Sequence, residues 1–139
     1  MKLAIVGSQA VNRRQAEQAW VLIEGLIRIW DPDEIWSGGA TGIDSVAEAV
    51  AMSYDYWTGP VIDGVDPPVG WFVTCLPEVK QWDPVGRKGY RARNIEIVHG
   101  VDRLVRVAKK DGQLTYGSGW TADYAEEQLG SDEVFRYYI

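Results

Sequence analysis

The 139-residue chain has one cysteine, Cys75, and one histidine, His99. A lone thiol closes no intrachain disulfide, and one thiol with one imidazole gives no metal-ligand spacing and no Ser-His-Asp or Cys-His nucleophile system. His99 reads as a capping or surface residue, not a base. Cations are also scarce. Fourteen Lys and Arg stand against twenty Asp and Glu, a net charge of -6, so the long-range field opposes non-specific attraction to nucleic acid and to anionic membrane. A nucleic-acid binder of this composition needs a local basic patch. No apolar run approaches the ~20 residues that cross a bilayer. Met1-Lys2 runs straight into a short apolar segment, without the longer apolar region of a secretory leader, so a cytoplasmic protein is expected. Internal repeats and low-complexity tracts are absent.

The remainder is an ordinary globular composition, 46% apolar and 24% charged. Residues 1–139 fit one domain around one core. Leu3-Ala4-Ile5-Val6 is a continuous apolar run closed by Gly7-Ser8, the pattern of a strand buried on both faces. From Arg14, the residues Ala16, Ala19, Trp20, Ile23, Leu26, Ile27 and Trp30 recur at helical spacing and stop before Asp31-Pro32. Glu34-Ile35-Trp36 predicts a second strand, and Ser37-Gly38-Gly39-Ala40-Thr41-Gly42 a tight turn into a helix whose inward face is Ile43, Val46, Ala47 and Val50. Further strands are predicted at 71–76, stopped by Pro77, at 103–107 and at 134–138. Helices are predicted near 91–99 and over 121–129, the last ending at Gly130. Strands alternating with helices imply right-handed crossovers and an α/β, Rossmann-like, doubly wound, mostly parallel five-stranded sheet with helices on both faces. Residues 53–70 break the rhythm with Tyr54, Tyr56, Trp57 and three prolines, and read as a loop insertion, a lid or an oligomer contact.

Ligands of doubly wound sheets bind at the carboxyl ends of the strands, so the loops there hold the candidate site. Gly7-Ser8-Gln9 lets a ligand approach the backbone and offers two polar side chains. Ser37 to Gly42 leads into a helix N-terminus, where N–H groups and the helix dipole suit an anion; Asp44 behind it binds a ribose hydroxyl, orients the loop or complements the helix end. The turn matches neither the Walker pattern nor the dinucleotide fingerprint. Four cations fall within Arg87-Lys88-Gly89-Tyr90-Arg91-Ala92-Arg93, and Arg93-Asn94 offers fork and amide donors to a phosphate or base, with a solvated basic face as the alternative. Gly117-Ser118-Gly119-Trp120-Thr121 places small residues before a further helix.

Taken together, these loops resemble the SLOG superfamily of Rossmann-like domains, and within it the YspA/cpYpsA-related branch. The resemblance is carried by Gly7-Ser8, by Ser37-Gly38-Gly39-Ala40-Thr41-Gly42-Ile43-Asp44 with Ala47, by Trp82 and Gly86 leading to Arg93-Asn94, and by Thr121-Ala122-Asp123, in that order. It covers nearly the whole chain apart from Ser53 to Gly70. Three positions depart from the branch's pattern: Gln9 stands where an arginine is usual, Gly89-Tyr90 where an Ala-Gly pair is usual, and Trp120 where a glycine precedes the threonine. The loss of the arginine at Gln9 is expected to alter a phosphate contact, and Tyr90 and Trp120 to narrow or reshape the pocket.

The resemblance implies binding of a nucleotide or nucleotide-derived molecule, such as an ADP-ribose-type signal, by a sensor or sequestering protein of the kind found in cellular and phage conflict systems. In this reading phosphates rest on Gly38, Gly39, Ala40, Thr41 and Gly42 and on Gly7, Ser8 and Gln9, with Ser37 beside them and Lys88, Arg93 and Asn94 completing the site. Asp44 meets the ribose or orients the loop; Gly117, Ser118, Gly119 and Thr121 close the far side. No metal or cofactor is expected, and the partners are the small molecule and a second copy of the chain, with Tyr54, Tyr56 and Trp57 suited to the seam of a homodimer or higher homo-oligomer. Superfamily relatives include nucleotide phosphoribohydrolases and the single-stranded-DNA-binding DNA-processing protein A, so two alternatives stand. The first is an N-glycosidic-bond hydrolase, with Glu48 and Glu126 as candidate catalytic carboxylates, although Tyr124 occupies the position where the hydrolase motif has its glutamate. The second is single-stranded DNA binding, which the net charge makes an unfavoured partner.

Overall fold

The computed structural model describes residues 1–58, 62–76, 87–110 and 116–139, with the side chains of 87–90 and 116 outside the description. The element order is β1 (Lys2–Gly7), α1 (Arg13–Trp30), β2 (Glu34–Ser37), α2 (Ile43–Ser53), β3 (Trp57–Thr58), β4 (Trp71–Thr74), α3 (Arg87–Gly100), β5 (Arg103–Ala108), α4 (Tyr116–Leu129) and β6 (Val134–Tyr138). One sheet forms, in the order β3-β4-β2-β1-β5-β6, and every pair in it is parallel. The chain builds outward from β1 on one side and returns to place β5 on the other, so the topological switch lies between β1 and β5.

Both faces of β1 are buried, as its unbroken apolar run requires. Leu3 and Ile5 pack with Ile23 and Leu26 of α1, Val50 of α2 and Phe72 of β4, while Ala4 and Val6 pack with Ile97 and Val98 of α3 and Ala122 and Ala125 of α4. Each fully buried aliphatic side chain contributes about 1.5–3 kcal/mol. Helix α1 starts where Asn12 and Gln15 form a reciprocal capping box, with bonds of 2.8 and 2.9 Å. Helices α3 and α4 are tied at the surface by Arg91 over the Trp120 ring, Trp120 stacked on Tyr124 at 5.3 Å, and the Tyr124 hydroxyl 2.7 Å from His99 Nε2.

Among the described residues the sheet has six strands, one more than the five expected. The additional strand, β3, falls inside the segment read as an insertion, and its two residues carry no alternating pattern. What makes them a strand is the free edge of β4: Trp57 pairs with Trp71 and Thr58 with Phe72, and the two tryptophan rings meet edge to face at 5.7 Å. Tyr56, assigned to an oligomer seam from sequence, is a core residue whose hydroxyl donates to Pro32 O at 2.6 Å. Residues 59–61 of that segment, and Pro77, lie outside the described residues. Strand β4 stops at Thr74, although Cys75 N still donates to Ser37 O at 2.8 Å. Helix α3 begins four residues earlier than its apolar spacing indicates. Helix α4 begins at Tyr116, five residues before the expected Thr121, so Gly117-Ser118-Gly119 is helix and not the loop that two glycines suggest.

Candidate functional site: a cleft at the sheet's switch point

A cleft opens beyond the carboxyl ends of β1 and β5, where the chain leaves the two strands for opposite faces of the sheet. Val6, Gly7 and Gln9 form its floor, Gly38, Ala40 and Asp44 one side, Arg93, Asn94 and Ile97 a second, and Gly117, Ser118 and Thr121 of α4 a third. Ten of the seventeen residues singled out for ligand binding therefore line one space, although they come from four separated stretches of chain. Among the others, Ser8, Ser37, Gly39, Thr41, Gly42 and Gly119 stand outside that lining. The side chain of Lys88 lies outside the described residues, as do Trp82, Gly86 and the side chains of Arg87 and Tyr90.

The residues behind the lining build it. Ser8 is buried, with its hydroxyl accepting from Lys109 N at 3.2 Å, its N–H donating to Val107 O and its carbonyl accepting from Ile43 N. It knots β1, β5 and α2 together. Gly42 adopts φ +80°, and a Cβ there would stand 2.3 Å from the carbonyl oxygens of both Ser8 and Gln9, so only glycine lets α2 start this close to β1. The Thr41 hydroxyl donates to Gln9 O at 3.4 Å. Ser37 Oγ accepts from Gly39 N at 3.4 Å.

Asp44 is buried on the first turn of α2. One carboxylate oxygen accepts the N–H of Ala40 at 3.1 Å, so the glycine-rich turn closes on a carboxylate of its own chain. Burial pushes the Asp44 carboxyl above the usual carboxylate range, opposed by the Ala40 N–H, by the Arg93 guanidinium and by the Gly38 N–H. A carboxyl at this wall suits a ligand that donates a hydrogen bond in preference to a phosphate.

Arg93 is also buried, and its donors turn toward the protein. Nη1 donates to Gly38 O at 2.5 Å and to Cys75 O at 3.4 Å, and Nε donates to Asn94 Oδ1 at 2.7 Å. A Cβ on Gly38 would stand 2.2 Å from Nη1, so this glycine makes room for the guanidinium. Because Nε is only a donor, the Asn94 atom facing it is the oxygen, and the Asn94 amide nitrogen is the one turned elsewhere. Cys75 is buried, and burial pushes its thiol up to about 11, far from nucleophilic character at neutral pH.

The α4 wall presents the first turn of a helix to the cleft, where N–H groups lack intrahelical acceptors and the dipole is positive. Thr121 Oγ1 turns back to Gly117 O at 2.7 Å. Neither candidate carboxylate reaches the cleft. Glu126 accepts from Arg136 at 2.9 Å on the outer surface between α4 and β6, and Glu48 stands outside the lining on α2. One residue beside the site was not singled out from the sequence. Arg106 of β5 is 6% exposed and its Nε donates to Ser118 Oγ at 3.0 Å. Its signal is a charged residue inside the apolar strand pattern Leu104-Val105-Arg106-Val107, where a bland amphipathic strand competes as an explanation.

No protein-family model and no curated protein matches the chain. Solved structures do. DNA processing protein A from Streptococcus pneumoniae superposes with a TM-score of 0.64 at 21% identity, over 97% of this chain and 49% of its own. The same protein from Helicobacter pylori, which binds single-stranded DNA, superposes with a TM-score of 0.58 at 20% identity, over 98% of this chain and 64% of its own. The chain thus spans half to two thirds of the length of these structures. What they share with it is the fold, a Rossmann-like α/β architecture.

Proposed function

We propose that the chain binds a nucleotide or nucleotide-derived small molecule in the switch-point cleft and senses or sequesters it. The observation that carries this reading is the convergence of three unlike groups on one opening: a buried carboxylate, Asp44; a side-chain amide, Asn94; and the positive first turn of α4. A carboxylate pairs with sugar hydroxyls or an exocyclic amine, an amide with either, and a helix N-terminus with phosphate. This orientation moves the phosphate from the Gly38–Gly42 turn, whose Ala40 N–H already meets Asp44, to α4.

The test is thermal unfolding against nucleotides, ADP-ribose species and cyclic nucleotide signals, with each compound examined by mass spectrometry afterwards. Ligand at 100 times its Kd stabilises by about 2.7 kcal/mol, a rise of roughly 8 °C for a domain of this size. The expected result is a shift with the compound intact, because neither Glu48 nor Glu126 reaches the cleft. Release of base or ribose supports the hydrolase alternative instead.

Single-stranded DNA is the second reading, favoured by the fold shared with two DNA processing proteins, one of which binds it. The net charge of -6 weighs against it. An oligonucleotide that binds at low salt, and loses affinity as salt rises, establishes it; silence at low salt removes it.

A further inference from the structure

Strand β3 is the outermost strand on one side of the sheet. The Trp57 N–H donates to Gly70 O, and Trp57 stands in register with Trp71 of β4. Successive residues of a strand turn their backbone groups to opposite sides, so the Thr58 N–H and C=O are directed away from β4, along the edge. Groups so placed are a template for a further strand.

The surroundings of this edge are apolar and acidic together. Nine large apolar side chains are exposed among the described residues, and five of them, Met52, Trp57, Ile62, Val65 and Val69, fall within residues 52–69. Scattered singly, such side chains mean little; concentrated, they mark a surface that another molecule covers. Asp55, Asp63 and Asp66 are exposed in the same stretch. No lysine or arginine occurs between Arg28 and Lys80, while nine Asp and Glu do, so this part of the chain carries -9 where the whole carries -6. The chain leaves β3 at Thr58 and is back beside it at Gly70, which keeps these residues at the strand.

We infer that the β3 edge docks an extended, basic segment of a partner protein, which adds a strand beside Thr58, its lysines or arginines meeting the acidic rim and its apolar side chains the exposed ones around Trp57. Main-chain bonds supply the affinity and side chains select the sequence. Charge decides against the other occupants. A nucleic-acid strand is repelled by this rim, and a second copy related by a two-fold axis would set the acidic edge against itself. Strands β4 and β2 separate the edge from β1 and the cleft, so this inference and the nucleotide-binding reading fail independently.

The experiment pans a displayed library of random octapeptides against the full chain and titrates the enriched peptides into the wild type, Thr58→Pro and Asp63→Lys/Asp66→Lys. Proline is tolerated on an edge strand where its missing N–H is the one turned outward. The expected peptides alternate lysine or arginine with apolar residues. Thr58→Pro weakens them by about tenfold or more, the scale of one or two main-chain bonds. Asp63→Lys/Asp66→Lys weakens them by at least about threefold, a loss that shrinks between about 0.05 and about 0.5 M salt. The double variant lies on an exposed stretch and keeps the test decisive should Thr58→Pro not fold. Enriched peptides without a surplus of lysine and arginine, or affinity unaltered in either folded variant, overturn the inference. A library that yields no binder overturns it too, as does a wild type that sediments as a dimer and is dissociated by Thr58→Pro, which assigns the edge to a second copy.

Discussion

Two glycine-rich helix starts face each other across the cleft, and they use glycine for opposite reasons. At the start of α2, Gly38, Gly39 and Gly42 are demanded by crowding: a Cβ would meet Arg93, Thr74 or the backbone of Ser8 and Gln9 at 2.7 Å or less. The turn also closes on its own carboxylate, Asp44. At the start of α4, a Cβ on Gly117 would meet nothing within 4 Å, and one on Gly119 only the edge of Arg106. This turn is held from outside. The first is a joint built to be finished internally; the second is left open to the cleft. Glycine content alone therefore says nothing about which of two such turns receives an anion.

Substitutions with alanine break this comparison most directly. Gly42→Ala places a Cβ against two carbonyl oxygens in a backbone conformation that disfavours it, and is expected to cost about 3 kcal/mol in urea unfolding. A loss below 1 kcal/mol would mean that the α2 joint is not tight.

The Asp44 carboxyl gives a smaller effect with a definite sign. Its folded pKa is raised above 3.8, so the folded chain holds this proton more tightly than the unfolded one. The contribution to stability is fully present below pH 3.8 and is lost as pH rises through the folded value. Asp44→Asn removes that slope, which unfolding measured at successive pH values detects, and it is expected to weaken a ligand that donates a hydrogen bond there.

Gly117→Ala should show the smallest change, with the opposite sign to Gly42→Ala. Nothing crowds the new methyl group, and the helix gains about 0.5 kcal/mol. Ligand affinity is expected to fall while stability rises, because the methyl stands on the cleft side of an open turn. A stable variant that binds unchanged would place the ligand away from α4.

The strands of the inner sheet are legible because a strand buried on both faces writes itself as a continuous apolar run: Leu3 to Val6 needs no partner to identify it. Strand β3 does not, since Trp57 and Thr58 become a strand only through the free edge of β4. Asp44 stands out from its place behind the glycines, but its bond to Ala40 is made by the folded turn and is not legible in its spacing. Arg93 and Gly38 are 55 residues apart, and nothing local signals that one makes room for the other. Ser8 shows the same blindness to distant partners: a hydroxyl at a strand end carries no sign that its hydrogen bonds knot three elements together. Arg106 hides in a strand whose neighbours explain themselves.

The surface stack of Arg91, Trp120, Tyr124 and His99 gives the cleft a gauge. Helix α3 carries Asn94 and α4 carries Ser118, and these walls meet no common hydrogen-bonded ladder of the kind that fixes strands at set spacings. Their spacing is held in two places, by the buried contacts of Ile97 and Val98 with Ala122 and Ala125 and, at the surface, by aromatic rings laid between the two helices as shims.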